Sequence, residues 1–175
     1  MTDMFLPEPR LVDIETIELL LSRETSPDLV EEYYRFGSLM LSEIQNAASQ
    51  LDSKLTTVMG IASGMLIFLL FGTVARDFAL IKTWTNLAAA IALIALATAV
   101  YGLMTRAWRL PSEMDWFKEE LRDSNLLKKY HVISLLAAHQ QHVKLVYTKS
   151  NCLRGGEMLI VVSAFVVACI LLLAS

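Results

Sequence analysis

The residues able to do chemistry are few. His139 and His142 are three apart on a helical pattern and could share a metal ion, yet no acid or cysteine on that face completes a site. They read as solvated or core-edge histidines, and no metal is expected. Cys152 and Cys169 lie about 25 Å apart along one helix at 1.5 Å per residue, too far to pair. There is no glycine-rich phosphate loop, serine elbow or paired-cysteine spacing. Arg122 and His131 are too widely spaced for the short Arg-to-His motif of helical ribonucleases. No catalytic residue is assigned, and the chain reads as a non-enzyme. What remains is basic residues interleaved with aromatics: Lys128-Lys129-Tyr130, and Lys144 to Arg154 with Tyr147 and Lys149. Such groups can hold a phosphate and stack a base. Candidate ligand residues are therefore Lys54, Lys128, Lys129, Tyr130, Lys149 and Arg154. Lys54, Arg106, Arg109, Lys149 and Arg154 also fall where lipid phosphates would lie.

The elements that position these residues follow from composition. The chain has 175 residues, 55% hydrophobic and 19% charged, with a mean hydropathy of +0.49. That is too apolar for an ordinary soluble domain or for disorder. Eighteen acids against fifteen bases argue against a general nucleic-acid binder. Three charge-free apolar runs stand out, 55–75, 83–105 and 158–175, of 21, 23 and 18 residues. A bilayer core of ~30 Å needs about 20 helical residues, so these predict three transmembrane helices. Met1–Arg10 carries Asp3, Glu8 and two prolines, unlike a cleavable signal peptide. Residues 1–54 and 106–157 together hold thirteen Lys and Arg, against two (Arg76, Lys82) in the hairpin between the first two runs. The positive-inside rule then puts the N-terminus and both polar segments in the cytoplasm. No ionisable residue interrupts the three runs, which disfavours a pump or proton relay.

Both polar segments read as helix, giving a cytoplasmic region of four helices. A short helix at about Leu11–Ser22 has Ile14, Ile17, Leu20 and Leu21 as its apolar side. Pro27, after Ser26, opens a pattern that runs into the first span. Its seam is Val30, Tyr33, Gly37, Met40, Ile44, Ala47 and Leu51, with Gly37 inviting close approach by a neighbour. Pro111-Ser112 opens a third helix with Trp116, Phe117 and Leu121 as its apolar face, and Asp123-Ser124-Asn125 breaks it. A fourth starts near Leu126, with Val132, Leu136, His139, Val143, Val146 and Leu153 in three-four spacing. Gly155-Gly156 falls where that helix meets the third run and is the hinge expected from sequence. Gly60-x-x-x-Gly64 and the alanines of the second run let helices approach closely, which supports helix packing or oligomers. Residues 1–54 carry eleven acids and four bases, residues 106–157 six acids and nine bases, so the two segments should attract. The fold class expected is an all-α membrane protein: three transmembrane helices with long cytoplasmic helical extensions.

Two stretches resemble a known family. Ala48–Leu70, with Leu51-Asp52-Ser53-Lys54 just ahead of an apolar run, resembles the approach to the first span in Pycsar-type transmembrane effectors, short membrane proteins of bacterial antiphage systems. Val143–Leu173, with Lys149, Leu153-Arg154 and a terminal apolar run, resembles the last helix of that family. The resemblance implies a homo-oligomeric effector in the cell inner membrane. A partner cyclase would make cyclic CMP or cyclic UMP, and the effector would sense it and impair the membrane, causing abortive infection. The chain contains no β-roll nucleotide-binding module, so any such site is expected among the cytoplasmic helices. A membrane-anchored scaffold for a protein partner and a small constitutive channel subunit are the alternative readings.

Overall fold

A computed structural model describes residues 15, 16, 19, 23, 26–72, 79–105 and 124–174. Three long helices account for nearly all of it: α1 Pro27–Gly72, α2 Ala79–Met104 and α3 Ser124–Ala174. Among the described residues there is no strand, and no residue has a positive φ. Each helix contains a stretch long and apolar enough to cross a membrane. Glu15, Thr16 and Leu19, within the short first helix expected, are helical, as is Arg23 just past its expected end; the other residues of that helix, the helix from Pro111 and the hairpin residue Arg76 lie outside the described residues.

The start of α1 follows its sequence. Pro27 occupies the first turn, where its missing N–H costs nothing, and the Val30 amide donates to the Ser26 carbonyl at 3.3 Å. Asp28 sits where the helix dipole favours an acid. α3 begins at Ser124, two residues ahead of the expected start.

The described residues divide into two compact units. The polar unit comprises the described residues up to 49 and residues 124–147. Val30 and Val132 are its buried pair, with Ile133 and Leu136 against them, and Leu135 and Ala138 are buried as well. A Cβ on Gly37 would meet the Leu135 side chain at 3.6 Å, so this glycine does face a neighbouring helix. Tyr33, expected on the seam, is 45% exposed.

The apolar unit comprises residues 50–72, 79–105 and 148–174. On α2, Thr85, Ala88, Ala92, Ala95, Ala99 and Gly102 are buried at steps of three and four, a face made of small residues only. Leu55, Val58, Ala62 and Leu69 supply the buried face of α1, and Cys152, Leu153, Gly156 and Ser163 that of α3. α2 runs antiparallel to both. Gly102 lies against Leu55 and Cys152, Gly156 against Val58 and the Ala95 carbonyl, and the Ser163 hydroxyl donates to the Ala88 carbonyl at 3.0 Å. Large apolar side chains such as Ile67, Phe68, Leu93, Ile94, Val161, Phe165 and Leu172 point outwards and are about half exposed or more. Exposed apolar area of this extent is the mark of a surface covered by lipid or by another protein, and it lies on the helices able to cross a membrane.

Two glycine expectations change here. Gly155-Gly156 does not break α3, which is continuous from Ser124 to Ala174. Gly156 is buried, and a Cβ there would come within 2.9 Å of Val58. The missing side chains admit a neighbouring helix, and the bonded backbone carries on through them. Gly60 and Gly64, expected to serve packing or oligomers, are exposed and meet nothing within 4 Å in their own chain. Within the chain their place is taken by Gly102, where a Cβ would lie 2.9 Å from Leu55 and 3.0 Å from Cys152.

Candidate functional site

The polar unit carries an open groove of about 320 Å³, lined by Glu31, Tyr34, Leu127, Lys128 and His131. Four of the five come in two pairs, Glu31 with Tyr34 on α1 and Lys128 with His131 on α3. Each pair is three apart and so shares a helix face. The Val30–Val132 contact beside them explains why these faces meet. The Lys128 ammonium donates to Glu31 Oε2 at 2.6 Å, with both side chains about half exposed. The rings of Tyr34 and His131 stand 5.0 Å apart, tilted by 42°. Burial lowers the His131 pKa from its ordinary 6.5, which favours the neutral ring. The groove thus offers an aromatic platform, a neutral imidazole, an apolar edge from Leu127, and a cation held by an exchangeable carboxylate. An exposed pair of this kind contributes only about 0–1 kcal/mol, so an incoming anion can displace Glu31.

Of the residues singled out by sequence, only Lys128 reaches this groove. Lys129 is half-buried and Tyr130 is 53% exposed; neither lines it. The tyrosine that lines it is Tyr34, not Tyr130. Lys54, Lys149 and Arg154 belong to the apolar unit. There Lys54 is exposed, Arg154 is half-buried and Lys149 is buried. The Lys149 side chain is 3% exposed and its ammonium is bound by Asp52, which is 43% exposed. A buried ammonium with a carboxylate partner is not available as a phosphate ligand. Its place is one turn from the Leu55–Cys152–Gly102 contact, where it ties α1 to α3.

His139 and His142 hold no third ligand; among the described residues no group of three metal-ligating side chains occurs. His142 Nδ1–H donates to the Ala138 carbonyl at 2.9 Å. The His139 pKa is lowered, first by burial and then by His142. Cys152 and Cys169 are both free thiols.

Fold and groove together define an all-helical protein with three helices able to cross a membrane and a ligand-sized groove in a separate polar unit. No family model matches the chain, and no curated protein or solved structure is similar to it.

Proposed function

We propose that the chain is a ligand-gated membrane effector of antiphage defence. It would reside in the inner membrane as a homo-oligomer, with its N-terminus and polar unit in the cytoplasm. There it senses a cyclic pyrimidine mononucleotide, cyclic CMP or cyclic UMP, and responds by breaching the membrane. The observation that carries the reading is the groove: Tyr34, His131 and Lys128 supply a stacking surface and one cation within about 320 Å³. A cyclic mononucleotide has one aromatic base and one negative charge, so it asks for no more than these. The base stacks against the Tyr34–His131 pair, and the phosphodiester takes Lys128 from Glu31. The Glu31 released in this way withdraws towards solvent.

Continuity of the helices supports the response. α1 carries Glu31 and Tyr34 and continues through the first apolar run, and α3 carries Lys128 and His131 and continues through the third. A ligand preferring one arrangement of these helices changes the population of the spans by its differential affinity alone. A full switch, from 1:99 to 99:1, takes about 5.5 kcal/mol.

Titration calorimetry of the purified full chain in detergent with cyclic UMP and cyclic CMP tests this. One of them should bind, and Tyr34→Ala or Lys128→Met should weaken binding at least about tenfold, the value of one stacking or charge-assisted contact. Heat from neither ligand, or unchanged affinity in both variants, overturns the assignment.

A further inference from the structure

Glu157 is exposed on the apolar unit and has no ion-pair partner among the described residues. Its depth follows from its neighbour. Gly156 packs against Val58 and the Ala95 carbonyl, which puts Glu157 about 15 Å along α2 from Thr105. It also lies about 12 Å along α3 from Lys149. α2 has no charge between Lys82 and Arg106, and α1 none between Lys54 and Arg76. Charge-free counting starts the third span at Met158 and so leaves Glu157 and Arg154 outside it. The packing instead sets both beside the charge-free lengths of the other two helices. Read as membrane spans, these helices hold a carboxylate where lipid would otherwise be, and lipid does not solvate one.

The surroundings of Glu157 say what covers it. Arg154, Glu157, Val161, Ala164, Ala168 and Leu171 follow one another at alternating steps of three and four, and all from Glu157 onward are exposed. This is the pattern of a second helix seam beside the one that packs on α2, and its two alanines permit close approach. Copies inserted in the same orientation are related by rotation about the membrane normal, so each residue keeps its depth in every copy. Arg154 lies about 4.5 Å from Glu157 along the helix axis, within reach of an arginine side chain. Arg154 also has a partner in its own chain, and its five N–H donors can serve both.

We infer that this face of α3 is the contact between copies of the chain, with Glu157 of one copy paired to Arg154 of the next. The contact is head-to-tail, and repeated around an axis it generates a ring. The inference rests on the membrane reading of the three helices and not on the nucleotide, so it is tested without ligand.

Two differently tagged full-length copies are co-expressed, extracted in mild detergent and co-purified, with native mass spectrometry of the product. Arg154→Glu in both copies, or Glu157→Arg in both, should reduce co-purification at least about tenfold through like-charge apposition. One copy carrying Arg154→Glu and the other Glu157→Arg should assemble again, since both alternating contacts then pair opposite charges. That rescue separates pairing from misfolding, because neither variant alone would assemble. A wild-type chain that is monomeric, unaffected assembly in the single reversals, failure of the mixed pair to assemble, or assembly with a different membrane protein in place of a second copy would each overturn the inference.

Discussion

The two units use the same chemical device in opposite surroundings. In each, a lysine of α3 binds a carboxylate of α1 that lies 97 residues earlier, Lys128 with Glu31 and Lys149 with Asp52. In the polar unit both partners are about half exposed. In the apolar unit the lysine is buried. Water can replace either partner of the first pair, so that pair can be exchanged for a ligand's charge. Removing one partner of the second leaves a charge with nowhere to go. Exposure, more than residue type, decides which lysine an incoming anion can reach and which one holds the helices together.

The largest effect expected from this contrast is at Asp52. Asp52→Asn strands the Lys149 ammonium and should cost about 3–5 kcal/mol in unfolding of the full chain in detergent. Lys149→Met leaves a carboxylate that is already partly solvated and should cost clearly less. Equal losses would mean that burial does not distinguish the two partners. Next in size is the contrast between glycines. Gly156→Val drives a side chain into Val58 and should cost about 1–3 kcal/mol by overpacking, whereas Gly60→Val meets nothing within the chain and should change the same unfolding by less than about 0.5 kcal/mol. A large loss from Gly60→Val in the monomer would contradict the packing described.

The smallest effects belong to the polar unit. Lys128→Met should shift stability by no more than about 1 kcal/mol while it weakens ligand binding. The pH response has a definite sign. Because burial lowers the His131 pKa, the unfolded chain takes up the proton first as pH falls below about 6.5. Stability from the neutral ring is therefore complete above that pH and declines below it. Comparing thermal unfolding at pH 7.5 and 5.5 for the wild type and His131→Phe should show a smaller acid loss in the variant; an identical loss would remove His131 from the explanation.

The parts of this architecture legible in the sequence were those with a period. Apolar runs without charge marked the membrane-compatible stretches, and three-four spacing marked Val30, Gly37, Val132 and Leu153 as inward-facing. The groove had no such period. Its residues are pairs from segments 97 apart, and only the meeting of Val30 with Val132 brings Glu31 and Tyr34 beside Lys128 and His131. Gly37 faces a neighbouring helix as its spacing predicted, whereas Gly60 and Gly64 meet nothing within their own chain: a small residue shows that close approach is possible, not which face turns inward. α2 is apolar all round, so side-chain volume alone, in its alanine face, reveals its packed side. Lys149 did carry a signal: it lies in one heptad row with Leu135 and Gly156, an inward position that a solvated lysine would not occupy.

If a ligand in the polar unit opens the apolar one, adding nucleotide alone should make a sealed membrane leak. Full-length protein reconstituted in dye-loaded vesicles, oriented with the polar unit outside, tests it in one titration. Dye release is expected on addition of cyclic UMP or cyclic CMP, absent without nucleotide and abolished by Tyr34→Ala. Release that is independent of nucleotide, or intact vesicles while the wild-type protein demonstrably binds it, would rule out ligand gating.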